Sequence, residues 1–149
     1  MSNGLRPSGP ARQRRDTGPD GESICRPSET DEFFSPENVR ILESWNAAGD
    51  PDLSIARARL APGESTRNHC LVGITERYLI VQGSGIVHIG SLPATEVRPG
   101  DVVFIPPGVP QRATSTGRID LVFYCLCTPA FDESRYRTVA GSVGEPGGG

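Results

Sequence analysis

The chain has 149 residues, a formal charge of −3 and an apolar fraction of 36%, which fits one domain with polar ends rather than two cores. All fifteen basic residues are arginine, so no lysine is available for Schiff-base chemistry. No basic stripe crosses the middle of the chain, which excludes the electrostatic footprint of a nucleic-acid binder.

Residues 1–30 are polar and broken by Gly and Pro; the run ARQRR at 11–15 belongs to them. Such a segment cannot bury enough apolar area to offset its ordering entropy, and a disordered leader is expected. No apolar run is long enough to span a membrane, and the leader lacks the apolar block of a secretory signal. A cytoplasmic protein with no membrane partner is therefore expected, and Cys25, Cys70, Cys125 and Cys127 default to thiols.

The domain is placed at 31–140. It has predicted strands at 39–45, 53–60, 77–82, 86–89, 102–105 and 121–127, with the turn sequences APGE, GSG, RPGD and PPGV among them. Short strands joined by Pro- and Gly-bearing turns predict an all-β sandwich or small barrel. The last strand is apolar on both alternations, so both of its faces should be covered. Thr128 followed by Pro129 reads as the cap and first position of a short C-terminal helix over TPAFDESRYRTV. Residues 141–149, rich in Gly, read as a flexible tail.

The chemistry-bearing stretch is NHCLVGITERYLIVQG, residues 68–83. Strand parity puts Glu76, Tyr78 and Ile80 on one face, and would turn Arg67, His69 and Leu71 inward together. A carboxylate among Leu, Ile and Val needs compensation. A metal shared with His69, or an internal ion pair to Arg67, would supply it. Further on, RPGDVVFIPPGVPQ delivers Gln111 after a rigid bend, able to offer a carbonyl oxygen to a metal or an amide to a substrate. Tyr78 is a candidate proton donor or a core aromatic. Arg67 is a candidate grip for a substrate oxygen. The face of His88 is not readable from sequence. Cys70 points away from His69 by parity, and Cys125 and Cys127 read as small apolar groups.

Together these segments resemble the cupin family. Its first motif is matched by Gly63, His69, Glu76 and Gly83, with Leu71 where a second histidine stands. Its second is matched by Gly100, Pro106 and Gly108, with Gln111 and Ser115 replacing the usual histidine and asparagine. The resemblance implies a double-stranded β-helix, that is, an antiparallel jelly-roll barrel, often homodimeric. It carries over His69 and Glu76 as ligands of a divalent metal such as Fe, Zn, Ni or Mn, with Gln111 by position.

Two functions follow. One is a metal-dependent isomerase, cyclase or lyase acting on a carbonyl or polyketide-like small molecule, the ion polarising a carbonyl while Tyr78 or water moves a proton. The other is a metal-free module binding or sensing a small ligand through Arg67, His69, Glu76 and Gln111. Non-haem iron dioxygenase chemistry ranks below the first, because it needs two imidazoles and a carboxylate on one face.

Overall fold

The computed structural model describes residues 14–140. The strands are β1 (Arg14–Thr17), β2 (Ser23–Arg26), β3 (Phe33–Phe34), β4 (Arg40–Trp45), β5 (Ser54–Leu60), β6 (His69–Leu71), β7 (Thr75–Gln82), β8 (Gly85–Ile89), β9 (Thr95–Val97), β10 (Val102–Ile105), β11 (Gln111–Ser115), β12 (Leu121–Thr128) and β13 (Tyr136–Thr138). A six-stranded sheet in the order β10-β7-β12-β5-β4-β3 faces a five-stranded sheet in the order β13-β6-β11-β8-β9. All pairings are antiparallel, so the architecture is an all-β jelly roll.

Alternation in the sequence builds the space between the sheets. Val87 and Ile89 of β8 and Ala113 of β11 point in from one side; Ala58 and Leu60, Tyr78 and Ile80, Val103 and Ile105, and Leu121 and Phe123 point in from the other. A smaller cluster of Leu71, Ile74 and Cys127, with Phe131 and Tyr136 packed on it, closes one end of the barrel. The turn glycines of the two motifs are conformationally required. Gly83 has φ of 79°, and an added Cβ would lie 2.4 Å from the Asp120 carbonyl oxygen. Gly108 has φ of 78° and donates its N–H to Leu71 O at 2.8 Å, tying the PPG bend to β6.

Two expectations fail. The C-terminal helix is absent: Asp132 caps a short 3-10 turn at Glu133–Arg135, and the chain then adds β13 to β6, pairing Tyr136 with Leu71 and Thr138 with His69. Pairing with the open edge of β6 gives these backbone groups partners, whereas a short surface helix would leave the groups at its ends unpaired. Within the leader, residues 14–26 form the β1–β2 hairpin instead of a disordered chain. Tertiary contacts hold it, with the Arg15 guanidinium 4.8 Å from the centre of the Trp45 ring and Cys25 Sγ donating to Ser44 O at 3.2 Å. The leader before residue 14 and the tail from 141 lie outside the described residues.

Candidate active site

His69 opens β6 and pairs directly across from Gln111, the first residue of β11. Opposite residues of an antiparallel pair share a face, so both side chains turn inward; they are 3% and 1% exposed. Glu76 comes from the facing sheet. Its β7 neighbours follow the predicted parity, with Glu76, Tyr78 and Ile80 buried and Arg77 and Leu79 turned out. The sequence positions His69, Glu76, Gln111 and Tyr78 therefore do converge.

Their bonding is specific. His69 Nδ1 lies 2.6 Å from the Arg67 carbonyl oxygen, which fixes the proton on Nδ1 and leaves Nε2 as a lone pair. The ring stacks on Tyr136, centroids 5.1 Å apart. Burial pulls the His69 pKa below its ordinary 6.5. Tyr78 donates its hydroxyl proton to Gln111 Oε1 and packs on Phe123 with ring centroids 4.5 Å apart; burial first, then the charge of Glu76, holds its pKa well above 10. Glu76 is 7% exposed, and its Oε2 accepts a weak bond from Cys127 Sγ at 3.5 Å. Its Oε1 has no hydrogen-bond partner among the described residues, nor has Gln111 Nε2. Burial, with the negative charge of Glu37 second, pushes the Glu76 carboxyl up to about 7, although His69 and the nearby Gln111 amide pull the other way.

Glu37 is the site residue that sequence reasoning missed. It sits in the 35–39 turn, where Ser35 N–H donates to Val39 O at 2.9 Å and Asn38 N–H to Ser35 O at 3.0 Å. Asn38 adopts the left-handed φ of 66° and anchors the turn by donating Nδ2–H to Ser65 O at 2.8 Å. Glu37 O accepts from Arg67 N–H at 2.9 Å. The turn thus carries Glu37 Oε2 to 3.6 Å from His69 Nε2. Burial raises the Glu37 carboxyl to about 7, although 21% of the side chain remains accessible. The signal available in sequence was SPEN: a Ser able to bond the backbone two residues on, a Pro and an Asn tolerant of positive φ, framing an acid.

Of these groups, Glu37 and Glu76 reach the wall of a cavity of about 410 Å³, while His69, Tyr78 and Gln111 lie behind it. Glu37, Glu76, Cys125 and Cys127 line it, as do the rings of Phe33, Phe131 and Tyr136. Burial, then the Glu76 charge, drives both thiol pKa values up, which disfavours the thiolate form. Arg67 is exposed and precedes β6, so strand parity does not govern it and it makes no ion pair with Glu76 among the described residues. His88 lies on β8 opposite Arg112, on the face away from buried Val87 and Ile89.

The expected metal set can be tested against these donors. A divalent ion would need His69 Nε2, a Glu76 oxygen and Gln111 Oε1. Gln111 Oε1 already accepts from Tyr78, the second-imidazole position is the buried Leu71, and Nε2 faces Glu37. No three His, Cys, Asp or Glu among the described residues are grouped to hold an ion. The motif positions thus offer one imidazole and one carboxylate, and Glu37 does not complete a three-ligand group with them among the described residues, so the donors fall short of the sets that hold catalytic transition metals.

The two facing antiparallel sheets, with buried polar residues between them, define a double-stranded β-helix. Residues 56–127 match the cupin domain family model, and the chain belongs to the cupin superfamily. An uncharacterized protein of Methanocaldococcus jannaschii is 30% identical over 78 residues, 52% of this chain. The chain spans 62% of the length of that curated relative. Among solved structures, Pac13, a nucleoside dehydratase, superposes with TM-score 0.63 at 18% identity over 76% of this chain and 89% of its own; substituted forms of the Streptomyces protein are solved with uridine. A double-stranded β-helix protein of Klebsiella pneumoniae superposes with TM-score 0.59 at 17% identity over 78% of this chain and 90% of its own.

Proposed function

We propose that the protein is a small-molecule enzyme that moves a proton on a carbonyl-type substrate, as in isomerisation, cyclisation or elimination. Glu37 and His69 act as the proton-transfer couple, and Glu76 holds the ligand. The observation that carries this reading is the approach of His69 Nε2 to Glu37 Oε2, 3.6 Å, with Glu37 at the cavity wall and His69 buried behind it. The separation lies just beyond hydrogen-bond range, as catalytic pairs often do before a ligand tightens them.

The chemistry follows from the protonation states. Glu37 titrates at about 7 and His69 below 6.5, so near neutrality a proton on the carboxyl and a free imidazole lone pair lie side by side. Ionised Glu37 lines the cavity and abstracts a proton α to a carbonyl. His69, oriented through Nδ1–H to Arg67 O, takes that proton from the carboxyl and returns it, which makes it a positioning and relay group rather than one that touches substrate. The same couple returns the proton to a different carbon in isomerisation, or delivers it to a β-hydroxyl oxygen so that the C–O bond breaks and water leaves in elimination. Pac13, a dehydratase with the same fold, supports a lyase-type outcome without fixing it. Tyr78 and Gln111 serve as a buried bonded pair supporting the floor.

A homodimer is also proposed. Leu79, Val81, Val102 and Phe104 are exposed on β7 and β10, and Val102 pairs with Leu79, leaving an apolar outer face that a second copy would cover.

The test is solvent exchange. Tag-free, chelator-treated protein is incubated in D2O with a panel of β-hydroxy carbonyl compounds, and deuterium at the α-carbon is read by NMR. Exchange above the buffer rate that is lost in Glu37→Gln is the expected result. No exchange across the panel, or exchange that appears only on adding a divalent metal, contradicts the reading.

A further inference from the structure

Among the described residues the cavity wall carries carboxyl groups and no basic side chain. Glu76 is more than nine-tenths buried, it lines the cavity, and among the described residues its neighbours are the neutral Gln111 amide and the Cys127 thiol rather than a cation, with Oε1 making no hydrogen bond. Glu37 lines the same space. No arginine is among the lining residues, and the chain has no lysine. Arginines elsewhere on the domain are engaged outside the cavity: Arg77 with Thr128 Oγ1 and the Phe104 ring, Arg57 with Glu29 and Glu32, Arg59 with Glu32 and Asp120, and Arg40 with Glu64. His69 cannot supply the missing charge, because its Nδ1 proton goes to Arg67 O and burial favours its neutral form.

A buried carboxyl at a cavity wall without a cation either takes up a proton or is held ionised by a cationic group that enters the cavity. Phe33, Phe131 and Tyr136 add ring faces that attract a cation and give nothing to an anion. The geometry points to a ligand carrying a protonated amine, whose charge is met by the Glu76 carboxylate at the cavity wall and whose carbon skeleton lies against these rings. It bears no phosphate or carboxylate at that end. This rests on the reading of the cavity as the substrate site and names the substrate class as a basic, nitrogen-bearing small molecule.

The test compares matched skeletons that differ only in charge: 2-phenylethylamine, 2-phenylethanol and phenylacetate, with the corresponding n-butyl and cyclohexylmethyl series. Binding to tag-free, chelator-treated protein is followed by titration calorimetry and protein-observed NMR. Amines are expected to bind more tightly than the matched alcohols by about tenfold or more, as a charge pair in a partly desolvated site allows, with the carboxylates weakest. Glu76→Gln, which keeps size and removes charge, is expected to abolish the preference. Leu79→Asp, on the outer face, is expected to leave it intact. Equal or tighter binding of the alcohols or carboxylates overturns the proposal. So do failure of every amine to bind at millimolar concentration, and a preference that survives Glu76→Gln. A divalent metal that binds stoichiometrically and blocks the amines overturns it as well, since the cation would then be the ion. Because binding is read without turnover, amine preference without solvent exchange would sink the catalytic reading alone, and exchange without amine preference would sink this one alone.

Discussion

Glu37 Oε2 stands 3.6 Å from His69 Nε2, and neither residue holds the other in place. Glu37 is presented by the 35–39 turn, and His69 by β6 with its ring fixed through Arg67 O. The two positioning systems meet at the Arg67 peptide, whose N–H bonds Glu37 O and whose carbonyl bonds His69 Nδ1. A change on either side is therefore felt by the other.

Asn38 tests the turn. Asn38→Gly keeps the left-handed backbone and loses the bond to Ser65 O, whereas Asn38→Val loses the bond and strains the backbone. The expected order of stability is wild type, then Gly, then Val, with Val costing about 2 kcal/mol or more. Denaturant unfolding gives the stabilities, and solvent-exchange activity should fall in the same order. A fully active Asn38→Val would detach Glu37 from the chemistry.

Glu76 predicts a pH-dependent stability. Its folded pKa, about 7, lies above the ordinary 4.5, so between these values the folded state binds more protons than the unfolded one and stability falls as pH rises. The penalty is absent below about pH 4.5 and complete above about pH 7, reaching about 3 kcal/mol. Glu76→Gln should therefore stabilise the protein in urea at about pH 8 and leave it nearly unchanged at about pH 4. Equal effects at both pH values would show that Glu76 is not raised.

Activity should follow the ionisation of Glu37. A base with a raised pKa is lost as pH falls through about 7, so the pH profile should have an acidic limb centred there. In Glu37→Asp that limb should persist at a lower rate. In His69→Gln the rate should drop by about a hundredfold, with little change in KM.

Tyr78→Phe separates floor from chemistry. Removing the hydroxyl leaves buried Gln111 Oε1 without a donor and should cost about 1–3 kcal/mol, seen as a lower urea midpoint. The rate per folded molecule should change little. A large loss in kcat with unchanged stability would make Tyr78 a catalytic residue instead.

The barrel was legible because its punctuation and periodicity are local. Gly63, Gly83, Gly100 and Gly108 all take the positive φ that their turns require, and alternation along β7 placed Glu76 and Tyr78 correctly. Parity failed at Arg67 because the strand begins two residues later. TPAFDESRYRTV carries a helix signal that lost to β6, an edge with open hydrogen-bonding groups that no local pattern announces. Glu37 was illegible for the same reason: nothing near SPEN in sequence says that His69 will lie beside it. Leu71 and Gln111 were read as departures from a metal motif; what replaces it, a second carboxyl from a turn, is visible only in three dimensions.

The central claim is tested most directly by 15N NMR of the His69 ring in tag-free, chelator-treated protein at about pH 8, with His88→Gln removing the other imidazole. The account predicts a neutral ring protonated on Nδ1, an unprotonated Nε2, and an Nε2 shift that moves in Glu37→Gln. A proton on Nε2, a charged ring, or an Nε2 signal indifferent to Glu37→Gln would contradict it.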